Sequence, residues 1–114
     1  MESRDKALVW RRGEIKTPPF STEARRAAGF LLRLVQLGTS LSMPVSRPMP
    51  GVGPRCHELR IRDAEQRVNW RLVYRIDSDA IVIGDVFVKK TQKMPGSIIE
   101  ACKRRFRLYD EITR

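Results

Sequence analysis

The sequence predicts an α+β domain: a small, mostly antiparallel sheet of about four strands with helices packed on one face, in the order β-α-β-β-β-α. Three observations carry that reading. Residues 56–93 read CHELRIRD, a polar turn, NWRLVYRID, a second turn and AIVIGDVFVKKTQK, which is three β-prone runs joined by short connections. Residues 22–37 place apolar side chains at helical spacing. A second helical pattern follows Met94-Pro95-Gly96. Two layers let each element bury its apolar side against the other. A chain of 114 residues has room for one such core, so a single domain over 1–114 is expected.

Residues 1–6 are polar and are expected to fray. Ala7-Leu8-Val9-Trp10 reads as a first strand, at the edge of the sheet or second from it, and Thr17-Pro18-Pro19 ends that region. Ser21 or Thr22 caps a helix running to about Leu37, with Glu23 in its first turn. Ala24, Ala27, Ala28, Leu31, Leu34 and Val35 form its apolar face, and Gly38 is its C′ residue. Residues 39–55 make a long connection holding four of the seven prolines. A loop of that length is functional or a wrap over the sheet. It carries Arg47 either to the rim of a basic surface or to no particular site.

In CHELRIRD, alternation puts His57, Leu59 and Ile61 on one face and Glu58, Arg60 and Arg62 on the other. After a turn at 64–68, Trp70, Leu72, Tyr74 and Ile76 face the core, with Arg71, Val73 and Arg75 opposite. Asp77-Ser78-Asp79 is a hairpin turn by composition. Residues 80–89 are apolar on both faces, as a central strand would be, and Gly84 marks a bulge or a close backbone approach. Ser97-Ile98-Ile99-Glu100 reads as a capping box opening the last helix, whose stripe is Ile99, Cys102, Phe106 and Tyr109.

The net charge of +10, from 23 basic and 13 acidic residues, is spread over the whole chain. A folded basic domain of this kind suits a polyanion or an acidic protein partner. No apolar run reaches membrane-spanning length, and MESRDKALVW has no signal-peptide core, so a cytoplasmic protein is expected. Cys56 and Cys102 are too few for a disulfide framework. Cys56 and His57, adjacent on a strand, point to opposite faces, so neither a metal nor a cofactor is expected.

The chemistry points to RNA. Arg60, Arg62, Arg71 and Arg75 project from one face if the hairpin pairs in register, and Lys89, Lys90 and Lys93 follow on the next strand. Guanidinium forks bind phosphate in bidentate fashion and lysines add point charge. RNA carries its own nucleophile, the 2′-OH, so positioning, charge stabilisation and one proton-transfer pair suffice to cleave it. Glu58, on the face of Arg60, is the candidate base; His57 alternates onto the core face.

The pieces CHELRIRD, WRLVYRID and VFVKKTQKMP, followed by a basic helix, resemble the RelE/ParE superfamily of toxins, and within it the HigB-like, phage-derived branch. The resemblance spans roughly residues 10–110. It implies a toxin neutralised by a cognate antitoxin, usually a helix-turn-helix DNA-binding protein. HigB-like and RelE-like members are ribosome-dependent endoribonucleases that cut mRNA in the A site, whereas ParE-like members poison DNA gyrase. An inactive binding relative is the third alternative. By position, the residues carried over for the scissile phosphate are Arg60, Arg71 and Lys90, flanked by Lys89 and Lys93. Two departures stand out. Glu58 occupies a position where RelE nucleases have a lysine, and MPG stands where they have a tyrosine. Glu58, or His57 swung outward, is the substitute base that follows.

Overall fold

The computed structural model describes residues 5–10, 19–90 and 93–113. The expected end of the first strand at Thr17-Pro18 lies outside these residues, as do the frayed residues 1–4 and Thr91-Gln92 of the lysine cluster. The described elements are β1 (Ala7–Trp10), α1 (Thr22–Gln36), β2 (Ser46–Pro48), β3 (Cys56–Asp63), β4 (Val68–Ile76), β5 (Ala80–Val88) and α2 (Gly96–Thr113). They build one mixed sheet of five strands in the order β1-β5-β4-β3-β2. The three hairpin-type pairings are antiparallel, while β1 lies parallel to β5 at the edge. The expected four-strand order therefore gains a strand. Ser46–Pro48 is too short and too rich in turn residues to show a period of two, and only its partner β3 defines it.

A second correction is larger. The helices do not share a face. Ala24, Ala28, Leu32 and Val35 of α1 pack with Leu59, Ile61, Trp70, Leu72, Tyr74, Ile81, Ile83 and Val86 on one side of the sheet. Cys102 and Phe106 of α2 pack with Cys56, Val73, Ala80 and Val82 on the other, and Met49 and Val52 from the proline-rich loop complete that second core. The near-continuous apolar run of β5 requires cover on both sides. The alternation of β3 and β4 is nevertheless as expected, because the second face is only partly covered.

Local chemistry explains the joints. The Ser21 hydroxyl accepts from Ala24 N at 3.1 Å and caps α1. Asp63 fastens that cap to the sheet, accepting from Ser21 N at 3.0 Å, Gln66 N at 3.1 Å and Trp70 Nε1 at 3.1 Å. Burial pushes the Asp63 carboxyl up, but these donors outweigh it and hold it well below the usual carboxylate range. Gly38, at φ 97°, closes α1 with its N–H on Val35 O. The helix face centres on Leu32, with Leu31 and Leu34 at its margins. α2 starts at Gly96, one residue ahead of the expected cap, with Ile98 N and Ile99 N on Pro95 O. Gly84 is both a bulge and a close approach. The β4–β5 register slips beside it, and a Cβ there would stand 2.8 Å from Phe106 Cζ. Arg105 of α2 pins the same point, donating to Gly84 O at 2.8 Å.

Candidate active site

The register of β2, β3, β4 and β5 brings the charged residues together. Arg47 lies opposite Glu58, and Arg60 lies opposite Arg71, which in turn lies opposite Phe87. Like charges directly opposed on neighbouring strands cost about 0.2–1 kcal/mol. Here that cost is offset by a single carboxylate. The Glu58 Oε1 lies 3.4 Å from Arg47 Nε, 3.4 Å from Arg60 Nε and 3.7 Å from Arg71 Nε. Glu58 is almost fully buried, at 3% exposure. Three guanidiniums around one carboxylate leave a surplus of two positive charges.

The arrangement is not hydrogen-bonded to saturation. Arg47 Nε and Arg71 Nε are buried and have no hydrogen-bond partner. Arg71 keeps one firm bond, from Nη1 to Trp70 O at 3.1 Å. Burial lowers the Arg71 pKa from its ordinary value; Glu58 pulls it back up, and Arg60 and Arg47 press it down. Such a group stays charged in proteins, so its environment calls for an anion.

Arg47 and Glu58 open onto a cavity of about 280 Å³. Lys89, Lys90 and Lys93 also border it, at the end of β5 and just beyond. Phe87, Val88, Met94, Pro95 and Ile98 supply apolar wall. The expected site residues Glu58, Arg60, Arg71, Arg47, Lys89, Lys90 and Lys93 are thus gathered in one region. β2 places Arg47 there because the Ser46 and Tyr74 hydroxyls share a hydrogen bond of 2.7 Å. The proline-rich loop combines two placements that the sequence offered as alternatives. It presents Arg47, and through Met49 and Val52 it covers the sheet.

Two expected RNA contacts lie elsewhere. Arg62 is exposed near the hairpin end of β3 and donates to Asn69 Oδ1 at 3.3 Å. Arg75 is covered by α2, where its guanidinium bonds Asp77 at 2.8 Å and Asp110 at 2.6 Å and stands 5.1 Å from the Phe106 ring centre. Two neighbouring carboxylates and an aromatic ring satisfy it. Hydrogen bonds to those carboxylates outweigh burial and raise its pKa. Strand alternation put Arg75 on the correct face but could not show that a helix crosses that end of it. His57 is also removed from the site. It faces the α1 side, its ring 5.3 Å from that of Tyr74, and burial lowers its pKa. The sheet itself separates it from Glu58.

Sequence reasoning missed the apolar wall. The signal was present at Phe87, which alternates onto the face of Arg71 while the lysines follow it. Asp85, on the same face and 3.5 Å from Arg105, was also missed. The thiols are structural: burial pushes Cys56 up to about 11 and Cys102 up to about 12. Among the described residues no group of three His, Cys, Asp or Glu could hold a metal ion.

The pattern of the family described as "Phage derived protein Gp49-like (DUF891)" matches residues 18–107, from the approach to α1 to the latter half of α2. The chain belongs to that family. The Gp49-like proteins are RelE/ParE-like toxins of toxin–antitoxin systems, and the match takes in every residue of the cluster around Glu58. No curated protein matches this Gp49-like chain. Among its described residues no helix is long and apolar enough to cross a membrane.

Proposed function

We propose that this protein is a HigB-like toxin that cleaves mRNA on the ribosome, by attack of the RNA 2′-OH on the adjacent phosphate, and is neutralised by a cognate antitoxin. The observation that carries this reading is the convergence of Arg47, Arg60 and Arg71 on the buried Glu58 at the end of the cavity. Glu58 takes the proton of the 2′-OH, and the new bond from the 2′-oxygen to phosphorus forms as the bond to the 5′-oxygen breaks. The arginines hold the charge that accumulates on the phosphoryl oxygens, the kind of contribution worth about 10²–10³ in rate. Lys90, exposed at the border of the cavity, supplies positive charge and a proton to the leaving 5′-oxygen. The products are a 2′,3′-cyclic phosphate and a 5′-hydroxyl, so atoms balance without an added reactant. Accessible mRNA in the ribosomal A site is the single-stranded substrate this chemistry needs.

The cluster also supports neutralisation by a partner. An antitoxin segment rich in Asp and Glu would offer the anions that the surplus charge calls for, and its association would be fast and salt-sensitive. A helix-turn-helix protein encoded beside this chain is the expected source.

The test is induced expression of wild type, Arg71→Ala, Lys90→Ala and Glu58→Gln, read by growth and by mapping mRNA ends. Wild type is expected to arrest growth and to cut mRNA in phase with codons. Each substitution is expected to relieve both effects. DNA breaks with intact mRNA would overturn the nuclease reading in favour of a gyrase-directed toxin. Full toxicity of Glu58→Gln would remove Glu58 as the base.

A further inference from the structure

The outer side of α1 carries a second apolar seam. The core seam is Ala24, Ala28, Leu32 and Val35, all buried against the sheet. Ala27, Phe30, Leu34 and Leu37 follow alternate steps of three and four residues, the spacing by which one helix packs along another. Ala27 leans on the core and Leu34 is half-buried, whereas Phe30 and Leu37 are 65% and 57% exposed. Single exposed apolar side chains are ordinary on a protein surface. These two fall on one line, about 10 Å apart along the axis, with Leu34 between them and Leu37 at the C-cap. A helix packed on one side only normally turns polar residues to water.

Charge decides what the seam fits. Arg26 and Arg33 directly precede Ala27 and Leu34, at the flanking positions where paired helices exchange ion pairs. Both are exposed. Arg33 reaches Asp5, and Arg26 makes no ion pair among the described residues. The other flank is Leu31 and Gly38, one packed on the core and the other closing the helix. A second copy of α1 would therefore set arginine against arginine or against an uncharged residue, and would add another net charge of +10. A phosphate chain would leave Phe30 and Leu37 in water. An α-helix with apolar residues in its own seam and Asp or Glu on its flanks satisfies both parts. α1 lies on the opposite face of the sheet from α2 and the arginine cluster, so a helix seated along it does not occupy the cavity beside Glu58.

We propose that the outer seam of α1 is a docking surface for an acidic amphipathic helix of a partner protein. Phe30 and Leu37 are its anchors, and Arg26 and Arg33 set the charge and orientation of what binds. This interface is separate from the arginine cluster and holds whether or not that cluster cleaves RNA.

Fluorescence anisotropy on the full chain tests it, with a labelled synthetic helix of about 21 residues, or three heptads, carrying Leu in its seam and Glu on both flanks. One control peptide has Lys in place of Glu, and a second has Ser in place of Leu. Both are expected to bind about ten-fold more weakly or worse, and Phe30→Glu is expected to weaken the first peptide as much, the scale of losing an anchor. Circular dichroism checks that each variant is folded. Arg26→Glu should move the preference from the Glu peptide toward the Lys peptide. Arg62→Glu, which changes the charge equally on the exposed end of β3, should alter binding little, and so should Arg71→Met. Equal binding of the Ser peptide, or equal weakening by Arg62→Glu and Arg26→Glu, would overturn the surface, leaving only general attraction to a basic protein. Loss of binding in Arg71→Met would place the peptide on the arginine cluster instead. Sedimentation showing a wild-type dimer that Phe30→Glu abolishes would overturn the acidic partner in favour of a second copy. None of these readouts involves RNA, so failure of the nuclease reading leaves them unaffected.

Discussion

Arg71 and Arg75 lie four residues apart on β4, face the same side of the sheet and are equally buried, at 8% and 7% exposure. Their surroundings are opposite. Arg75 has two carboxylates against it, with bonds of 2.6–3.1 Å to Asp77 and Asp110 (Asp77 is also 3.4 Å from Arg55), and aromatic rings of α2 beside it. Arg71 shares one carboxylate with two other arginines, at 3.4–3.7 Å, and its Nε has no hydrogen-bond partner. The first arrangement closes on itself and joins α2 to the sheet. The second keeps binding capacity and charge unspent, which a protein selected only for stability would not retain. Two arginines that look alike in the sequence thus separate into a fastener and a candidate phosphate ligand.

Matched substitutions sharpen that contrast, because Arg→Met keeps most of the aliphatic stem and removes the charge. Arg75→Met leaves Asp77 and Asp110 near each other without the cation that joins them, only Arg55 remaining beside Asp77. The expected cost is about 3 kcal/mol, at the low end for a broken buried pair because Asp110 is partly exposed. That corresponds to a Tm lower by roughly 10 °C. Arg71→Met removes an attraction to Glu58 and a repulsion from Arg60 together. Because Glu58 keeps Arg47 and Arg60, its charge stays paired, and the stability loss is expected to be smaller than for Arg75→Met, while mRNA cleavage falls about 100-fold or more. Urea unfolding and cleavage assays on the two variants would erase the distinction if both lost stability alike.

Glu58→Gln takes the counter-charge out of the arginine cluster. A stability loss of about 2 kcal/mol is expected, the scale of a lost charged hydrogen-bond partner. Added phosphate should restore much of it, by supplying the negative charge that the cluster has lost, and should do little for Arg75→Met. Equal response of the two variants to phosphate would mean that the cluster does not bind anions. The last comparison concerns Asp63, which lies away from both arginines. Its folded pKa lies below the ordinary value of about 3.9. Its contribution to stability is therefore present in full above that value and is lost as pH falls below it toward the folded pKa. Asp63→Asn is expected to be less stable at neutral pH and to lose less stability between pH 4 and 2, a difference that acid unfolding curves would show.

Periodicity and turn chemistry were enough to read α1, the alternation of β3 and β4, the edge strand, and Gly84 as a special point, since each rests on neighbours in the chain. The gathering of Glu58, Arg60 and Arg71 was legible for the same reason: a hairpin in register brings them together, and strand alternation sends them to one face. Lys89, Lys90 and Lys93 were legible as the basic end of the next run, and the family resemblance singled out Lys90 among them. Other features depended on partners far away in sequence. β2 exists only against β3, and Arg47 reaches Glu58 through that pairing. Arg75 and Arg71 carry the same charge at the same period, and only the path of α2 over one and short of the other distinguishes them. The sequence by itself determined that one sheet face would be basic and that a carboxylate would stand within it. Tertiary structure decided which arginines have anions of their own, because burial and ion pairing depend on what packs across the sheet rather than on position along the strand.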